Sequence, residues 1–514
     1  MDTTKQELIA KIESRVEDKA LERSNADLLI KLINNADSID EAISIAELGT
    51  MYKRTGLHFD PRLEKMSNTI KYFEKNDALS FTNPGAKRTH KLIIGDNYDA
   101  LQNLLIQYKG KIDVIYIDPP YGKDSMGEFA DMNYDNAITR DNLLSMLYPR
   151  LVLARQLLSE NGIIFCSIDD KNQAYVKCLF DEIFGESNFI NQFVWKKNSS
   201  GKTEKDKFTI NTEYILLYRK SKQCLLNDTY KPLSKATVAL YKKDDGDGRG
   251  RYRLYPLQKP ASPGPETSYD YVDNNGKVWP CPPKGWRLKY EKLKALENDG
   301  RLCLENDTLS EKAYWNERES EGKRIDTLWD DLPENSVGTK QLTSIIGEQS
   351  KFANPKPIEL IRRCLQINYS DAIVLDFFAG SGTTGHSVLA LNNENSKSEE
   401  DNRTFIICQL NEKTDTTPNG IAYDVTSKRL KRIMTGECYD GSKDFEWIKK
   451  NKPYGDNLDV YEIKMVADNA TESGKTPFDL IDETLYGKEK FATKREKIEW
   501  VCQNFQRTEK YLEE

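Results

Sequence analysis

The stretch that most restricts the fold is Lys111-Ile-Asp-Val-Ile-Tyr-Ile117, which runs straight into Asp118-Pro119-Pro120-Tyr121. Ile112, Val114, Ile115 and Ile117 form a short, apolar, β-branched run, the pattern of a strand buried in a parallel sheet. The tetrapeptide then falls at the strand's carboxyl end, where open α/β sheets place their ligands. Its two prolines fix φ and remove two backbone donors, leaving a stiff turn rich in acceptors. A carboxylate, a presented carbonyl and an aromatic face suit a planar ligand that carries an amine, such as a nucleobase. Asp and Pro are also ordinary turn residues, so these four positions alone leave a plain strand-ending turn open.

The pattern recurs along the chain. Lys91–Asp96 predicts a strand ending in Gly95-Asp96, followed by a helix through Asp99 and Leu105. A leucine-rich helix over about 141–159 leads to a strand at Gly162–Asp169, a helix near Tyr175–Phe184, and strand candidates at Phe189–Trp195 and Tyr214–Tyr218. After a long gap the pattern resumes with Asp371–Asp376, a helix through Val388 and Leu391, the strand Thr404–Glu412 and a basic helix at Ser427–Met434. Strands alternating with helices predict an α/β, doubly wound, mostly parallel sheet.

Around this sheet the chain divides into five parts. Residues 1–85 read as a helical arm, with apolar residues at helical spacing and Ser38 followed three residues later by Glu41 as a capped start. Such an arm serves dimerisation or partner docking, or simply caps the main domain. Residues 86–221 and 346–435 form the two halves of the sheet domain. Between them, 222–345 lose the periodicity, are interrupted by prolines and carry tryptophans 279, 286, 315 and 329, which predicts an inserted domain. Residues 436–514 read as a separate charged C-terminal module.

Charge sharpens the reading. The chain carries −7 overall, yet between residues 191 and 295 Lys and Arg number 22 against 11 Asp and Glu. A basic island in an acidic protein fits a phosphate-facing surface. Within it Lys242, Lys243, Arg249, Arg251, Arg253 and Lys259 stand among tyrosines and are candidate nucleic-acid contacts. A solvated loop is the alternative for 242–251. The nine cysteines are scattered without a Cys-x-x-Cys pair, and three dispersed histidines argue against a zinc site, so no metal is expected. No apolar run is long enough for a bilayer and the first residues lack a signal-peptide core, so a cytoplasmic location with no membrane contact is the expectation.

Asp376-Phe-Phe378-Ala-Gly380-Ser-Gly382-Thr383, following an apolar strand and opening a helix, is a nucleotide-binding layout. Its glycines let backbone approach a ligand closely. Glu412, placed at the end of the next strand, is a candidate for ribose hydroxyls. The Walker pattern Gly-x-x-x-x-Gly-Lys-Ser/Thr is missing from the chain, so ATP or GTP hydrolysis by a P-loop is not supported. His386 reads as first-turn packing rather than a base.

Together these pieces resemble the amino-group DNA methyltransferases of the permuted β class, in which Asp-Pro-Pro-Tyr precedes a Phe-x-Gly-x-Gly cofactor motif. Asn354-Pro-Lys-Pro-Ile-Glu-Leu-Ile361 is similar to that class's Lys-Pro-x-x-Leu element, and Gly162–Asp169 and Glu213–Tyr218 to its later strand motifs. The resemblance covers about 90–222 and 346–435, and the insertion lies where the class carries its target-recognition domain. The 1–85 arm, Gly285-Trp-Arg-Leu and Asp326-Thr-Leu-Trp-Asp-Asp-Leu-Pro look most like the modification subunit of type III restriction–modification systems.

The resemblance implies a circularly permuted S-adenosylmethionine-dependent methyltransferase fold and methyl transfer to N6 of a flipped-out adenine in double-stranded DNA. It implies a homodimer and a restriction helicase–nuclease as a further partner. Asp118, Pro119, Pro120 and Tyr121 would orient the base. Asp376, Phe378, Gly380, Gly382, Thr383 and Glu412 would hold the cofactor, with Lys356 on its carboxylate and Asp96 on its adenine. A solvated lysine and a helix cap are the alternatives for Lys356 and Asp96. The rival readings are cytosine-N4 methylation, against which Asp rather than Ser at position 118 weighs, and a non-catalytic DNA-recognition subunit, against which the full cofactor motif weighs.

Overall fold

In the computed structural model the run at 112–117 is a strand whose residues alternate between two cores, Ile112, Ile115 and Ile117 on one face and Val114 and Tyr116 on the other. The structure describes residues 4–17, 23–48, 69–121, 139–200, 208–231, 233, 235–258, 264–305, 308–318, 323–347, 352–369, 371–394, 402–467 and 476–505. Lys259, one of the candidate basic contacts, lies outside them.

Ten strands share one sheet: β1 (Thr69–Lys75), β2 (Thr89–Ile94), β3 (Ile112–Ile117), β4 (Leu158–Ile168), β5 (Phe189–Lys196), β6 (Thr212–Arg219), β7 (Leu328–Trp329), β8 (Ile373–Asp376), β9 (Thr404–Gln409) and β10 (Asn457–Ala467). Their spatial order is β1-β10-β2-β9-β8-β3-β4-β6-β5-β7. The six strands from β10 to β4 run parallel, β6 is antiparallel to both neighbours, and β1 is antiparallel at the edge. Each buried Ile, Leu or Val in these strands contributes about 1.5–3 kcal/mol of transfer free energy, which is why runs apolar on both faces end up central.

Helices cover both faces. α1 (Lys5–Glu17), α2 (Arg23–Asn35) and α3 (Ile39–Leu48) form a small unit around Leu8, Ile12, Ala26, Ile33 and Ala42. The Glu41 amide donates to Ser38 Oγ at 3.1 Å, so the expected cap starts α3. α4 (Asn97–Tyr108), α5 (Thr139–Leu157) and α6 (Gln173–Phe184) pack on the face of Ile115. α7 (Asn335–Ile346), α8 (Ile358–Gln366), α9 (Thr383–Glu394) and α10 (Lys428–Thr435) pack on the face of Val114.

The connection β3–α5–β4 leaves β8 on one side and β8–α9–β9 leaves β3 on the other, although β3 and β8 are adjacent, with Val114 beside Val374. That divergence opens a crevice beyond their carboxyl ends.

Three boundaries depart from the sequence reading. The arm assigned to 1–85 ends in strand β1, not helix, because Ile70, Tyr72 and Phe73 fill the main core. The stretch 436–514, taken as a separate module, supplies β10, which lies between β1 and β2 in the main sheet. Its Tyr486 stacks on Phe73 at 5.6 Å, and its hydroxyl accepts from the Phe73 amide and donates to Asn103. The insertion, drawn to 345, rejoins the main domain by β7. Trp329 is fully buried, stacks on Phe193 at 4.3 Å, and its strand pairs with β5. What remains of the insertion has its own core of Leu257, Tyr271, Trp279, Trp286, Leu293 and Leu309 beside a three-stranded antiparallel sheet.

Candidate active site at the switch between two strands

Asp118 stands one residue past β3, and Asp376 closes β8 next to it. The Tyr121 hydroxyl donates to Asp118 Oδ1, and Asn172 Nδ2 holds the Tyr121 carbonyl at 3.0 Å. Lys356 enters from the loop before α8, 7% exposed, with its ammonium 3.0 Å from Asp118 Oδ1, 3.1 Å from Glu213 Oε2 and 3.3 Å from the Tyr121 hydroxyl. Glu213 comes from β6, and its other oxygen meets Lys197 at 3.1 Å. Four charges thus alternate in sign along a row, Lys197, Glu213, Lys356 and Asp118.

Burial pushes the Asp118 carboxyl above the ordinary carboxylate range; Lys356 pulls it back and Glu213 pushes it further. For Lys356, burial disfavours the charge, but Asp118 and Glu213 outweigh it and hold the ammonium above its usual value. Burial also opposes the Glu213 charge, and Lys356 and Lys197 outweigh it, leaving that carboxyl below its ordinary value. The sequence reading sent Lys356 to a cofactor carboxylate. The structure instead places it between two carboxylates of the chain itself.

Across the crevice the Gly-rich turn is built from within. Asp376 accepts from the Phe378 amide at 2.9 Å and from the Thr384 hydroxyl, and burial carries its carboxyl to about 7 against these bonds. Gly380 and Gly382 take left-handed φ values of 52° and 78°, a backbone that favours glycine. The Gly380 amide donates to Gln409 Oε1 at 2.6 Å, and its carbonyl accepts from Thr426 Oγ1 at 2.6 Å. Thr383 is buried, its hydroxyl accepting from Arg429 at 2.9 Å, so it steadies the turn from behind. His386 is buried between Arg429, Trp447 and Tyr454, and burial with the nearby arginines keeps it neutral, in keeping with packing.

Other candidates fall differently. β9 ends at Gln409, so Glu412 lies three residues past the strand rather than at its end. Asp96 caps α4, accepting from the Tyr98 amide at 2.7 Å, and pairs with the buried Arg150 at 3.2 Å. In the insertion Lys242, Lys243 and Arg251 are exposed. Arg249 donates to the Asp299 carbonyl at 2.7 Å, and Arg253 lies 3.9 Å from the centre of the Tyr255 ring. Glu213, Lys197, Gln409 and Asn172 went unnoticed as site residues. The one available signal was Glu213, the sole carboxylate in the apolar run Thr212–Arg219.

The turn fits a nucleoside-type cofactor: its two left-handed glycines bring no side chain to the crevice. Among the described residues, no group of three or more His, Cys, Asp and Glu could hold a metal ion, and no helix is long and apolar enough to cross a membrane.

A doubly wound sheet with an Asp-Pro-Pro-Tyr turn beside a glycine-rich turn has the layout of an enzyme that binds a nucleoside-type cofactor at the switch between two strands. Residues 112–419 match the family model described as DNA methylase, and the chain belongs to that family. Residues 5–114 match a second model, of an uncharacterised conserved protein. The chain is 34% identical over 360 residues to the type III restriction-modification enzyme StyLTI Mod subunit of Salmonella typhimurium, covering 63% of this chain and about half, 53%, of that protein. It is 31% identical over 426 residues to the type II methyltransferase M.KpnI of Klebsiella pneumoniae, covering 76% of this chain and 97% of that one. A putative DNA modification methylase of Thermus thermophilus, solved with S-adenosyl-L-methionine, aligns over 75% of this chain and all of its own, but at 13% identity and a TM-score of 0.33, too loosely to bear on the chemistry.

Proposed function

We propose that this chain transfers a methyl group from S-adenosylmethionine to N6 of an adenine flipped out of double-stranded DNA, as the modification and specificity subunit of a type III restriction–modification system. The observation that carries the reading is the division of labour at Asp118. Its Oδ1 is held by Lys356 and Tyr121, while Oδ2 has no hydrogen-bond partner among the described residues and the side chain keeps 26% of its surface exposed. A carboxylate so anchored can accept an N–H from an exocyclic amine, with the Pro119 carbonyl taking the other.

When bound, S-adenosylmethionine supplies an electrophilic methyl on a sulfonium. An adenine amine is a poor nucleophile because its lone pair is delocalised into the ring. Two acceptors in place would draw the nitrogen toward tetrahedral geometry and free that pair for an N–C bond, formed as the methyl's bond to sulfur breaks and its electron pair stays on sulfur as a neutral thioether; the proton displaced from nitrogen would pass to Asp118 or to solvent. Preorganised acceptors of this kind act where charge develops. Unstacking the base costs on the order of a few kcal/mol, which stacking on Tyr121 helps offset. The basic stretch of the insertion reads the target, and a second copy of the chain and a restriction helicase–nuclease complete the assembly; the Mod-subunit likeness supports the helicase–nuclease partner.

Transfer of labelled methyl groups to DNA by the isolated chain, followed by nucleoside analysis, tests this. N6-methyladenine is the expected product. N4-methylcytosine would overturn the adenine assignment, and no labelled DNA would overturn the enzyme.

A further inference from the structure

Every carboxylate and amine in the row behind Asp118 is ion-paired, and two of the four are nearly withdrawn from solvent. The Lys356 and Glu213 side chains are 7% and 6% exposed and Lys197 is 20% exposed. A buried glutamate and a partly exposed aspartate beside one lysine are costly unless the lysine serves both, and a buried ammonium needs partners on more than one side. Glu213 lies on β6, which is antiparallel to β4, so the row crosses from the tail of β3 over β4 to the far part of the sheet. No packing requirement explains a glutamate in a strand otherwise of the type Tyr-Ile-Leu-Leu-Tyr.

We propose that Lys356 and Glu213 are positioning residues for the transfer: Lys356 ties down Oδ1 of Asp118 so that Oδ2 is presented to the substrate amine, and Glu213, anchored on Lys197, keeps Lys356 there. This rests on the methyltransfer reading above. The arrangement also sets the charge of Asp118. Facing that carboxylate are Lys356, Glu213 and the Tyr121 hydroxyl, with Tyr116 on β3, Cys166 on β4 and Asp376 on β8 close enough to feel its charge. Burial holds Tyr116 and Cys166 neutral, so Lys356 is the cation and Glu213 the principal anion acting on Asp118.

The two positioning residues therefore have opposite electrostatic effects on one group. Removing the Lys356 charge leaves Asp118 and Glu213 facing each other without a cation between them, so Asp118 holds its proton to higher pH. Removing the Glu213 charge takes away a repulsion, so Asp118 loses its proton at lower pH. A protonated Asp118 is a poorer acceptor for the amine.

Single-turnover methyl transfer to DNA, followed between pH 5 and 9, separates these effects. In Lys356→Met the acid limb should move to higher pH, and in Glu213→Gln to lower pH, each unit of displacement being a tenfold change in rate at a pH on the limb. Lys356→Arg should keep the limb near its wild-type position. Opposite displacements support the proposal. Displacements of the same sign, or lower rates with an unmoved limb, overturn it, because a merely structural defect lowers the rate at every pH alike.

A second measurement needs neither DNA nor cofactor. With its carboxylates left without Lys356, Lys356→Met should recover stability relative to wild type as pH falls from 8 to 5, since groups whose folded pKa is raised lose stability as pH rises. A pH-independent difference in unfolding midpoint overturns the proposal. Should Lys356→Met not fold, Glu213→Gln carries the pH test: its limb should still move down, and an unmoved limb overturns the proposal. A wild-type chain that transfers nothing to DNA refutes the methyltransfer reading instead, while the stability comparison still reports whether Lys356 neutralises the two carboxylates.

Discussion

Gly338→Ala adds a single methyl group behind the loop that carries Lys356, and it should cripple the site. Gly338 is buried in α7, and a Cβ there would lie 2.1 Å from the Pro355 carbonyl oxygen and 2.9 Å from the Lys356 carbonyl carbon. Ordinary contact begins near 3.4 Å, so helix and loop must separate by more than about 1 Å, a displacement that close-packed interiors resist. The loop is also gripped by Gln341 of the same helix, whose Oε1 accepts from the Ile358 amide at 3.0 Å. Backbone that moves here carries Lys356 with it, and a retreat of about 1 Å stretches ion pairs of 3.0 and 3.1 Å toward the limit of contact. Overpacking of this kind costs about 1–3 kcal/mol of stability, and misplacing a reacting group by about 1 Å costs on the order of a hundredfold in rate. Thermal unfolding and single-turnover transfer measured side by side give both numbers, with Lys340→Ala on the exposed side of α7 as the control. A Gly338→Ala protein with wild-type rate and stability would refute the argument that α7 fixes Lys356.

Three further outcomes can be checked. Asp118→Ala should abolish transfer while leaving cofactor affinity nearly intact, and a variant retaining a tenth or more of the wild-type rate would sink its assigned role. Gly380→Asp should weaken cofactor binding, measured by calorimetry, because the φ of 52° is strained for a side chain and its Cβ would stand 2.8 Å from the Phe352 ring; unchanged affinity would put the cofactor elsewhere. Changing Arg249, Arg251 and Arg253 together to Ala should flatten the slope of log affinity for DNA against log salt by roughly one to two units, at about 0.9 per phosphate contact. The full three-arginine loss is not expected because Arg249 already serves Asp299. A slope that stays put would move the DNA-facing surface elsewhere in the insertion.

The strands that make the crevice were legible because they are buried on both faces. Apart from Asp113 and the closing Asp376, Ile112–Ile117 and Ile373–Asp376 carry apolar or aromatic residues on both faces, so period and register hardly matter to the reading. Their polar endings stand out for the same reason. Glu213 shows where such reading stops: its partner Lys356 lies across the whole insertion, and local pattern carries no information about that encounter. Strands β1 and β10 were missed for a related cause. Thr69–Lys75 alternates charge with aromatics and resembles an amphipathic helix until Asn457–Ala467 pairs with it. Asp96 was ambiguous because an acid after a strand serves equally as ligand or cap, and the helix start at Asn97 settles where its oxygen goes.

The place of β10 has a consequence for how the chain is made. Among the described residues, β1 pairs in the sheet only with β10, and β10 alone pairs with the outer side of β2. At about 5–20 residues per second of synthesis, the roughly 380 residues between β1 and β10 take on the order of 20–75 seconds to emerge. For most of that interval β2 lacks both neighbours, because β9 emerges only at residues 404–409; from then until β10 arrives β2 is an unpaired parallel edge and β1 has no neighbour, the kind of surface that recruits other strands. A ribosome that stalls just before β10 would therefore release a chain whose crevice residues are all present but whose sheet is still open, and strand-pairing with other such chains is the hazard it would face.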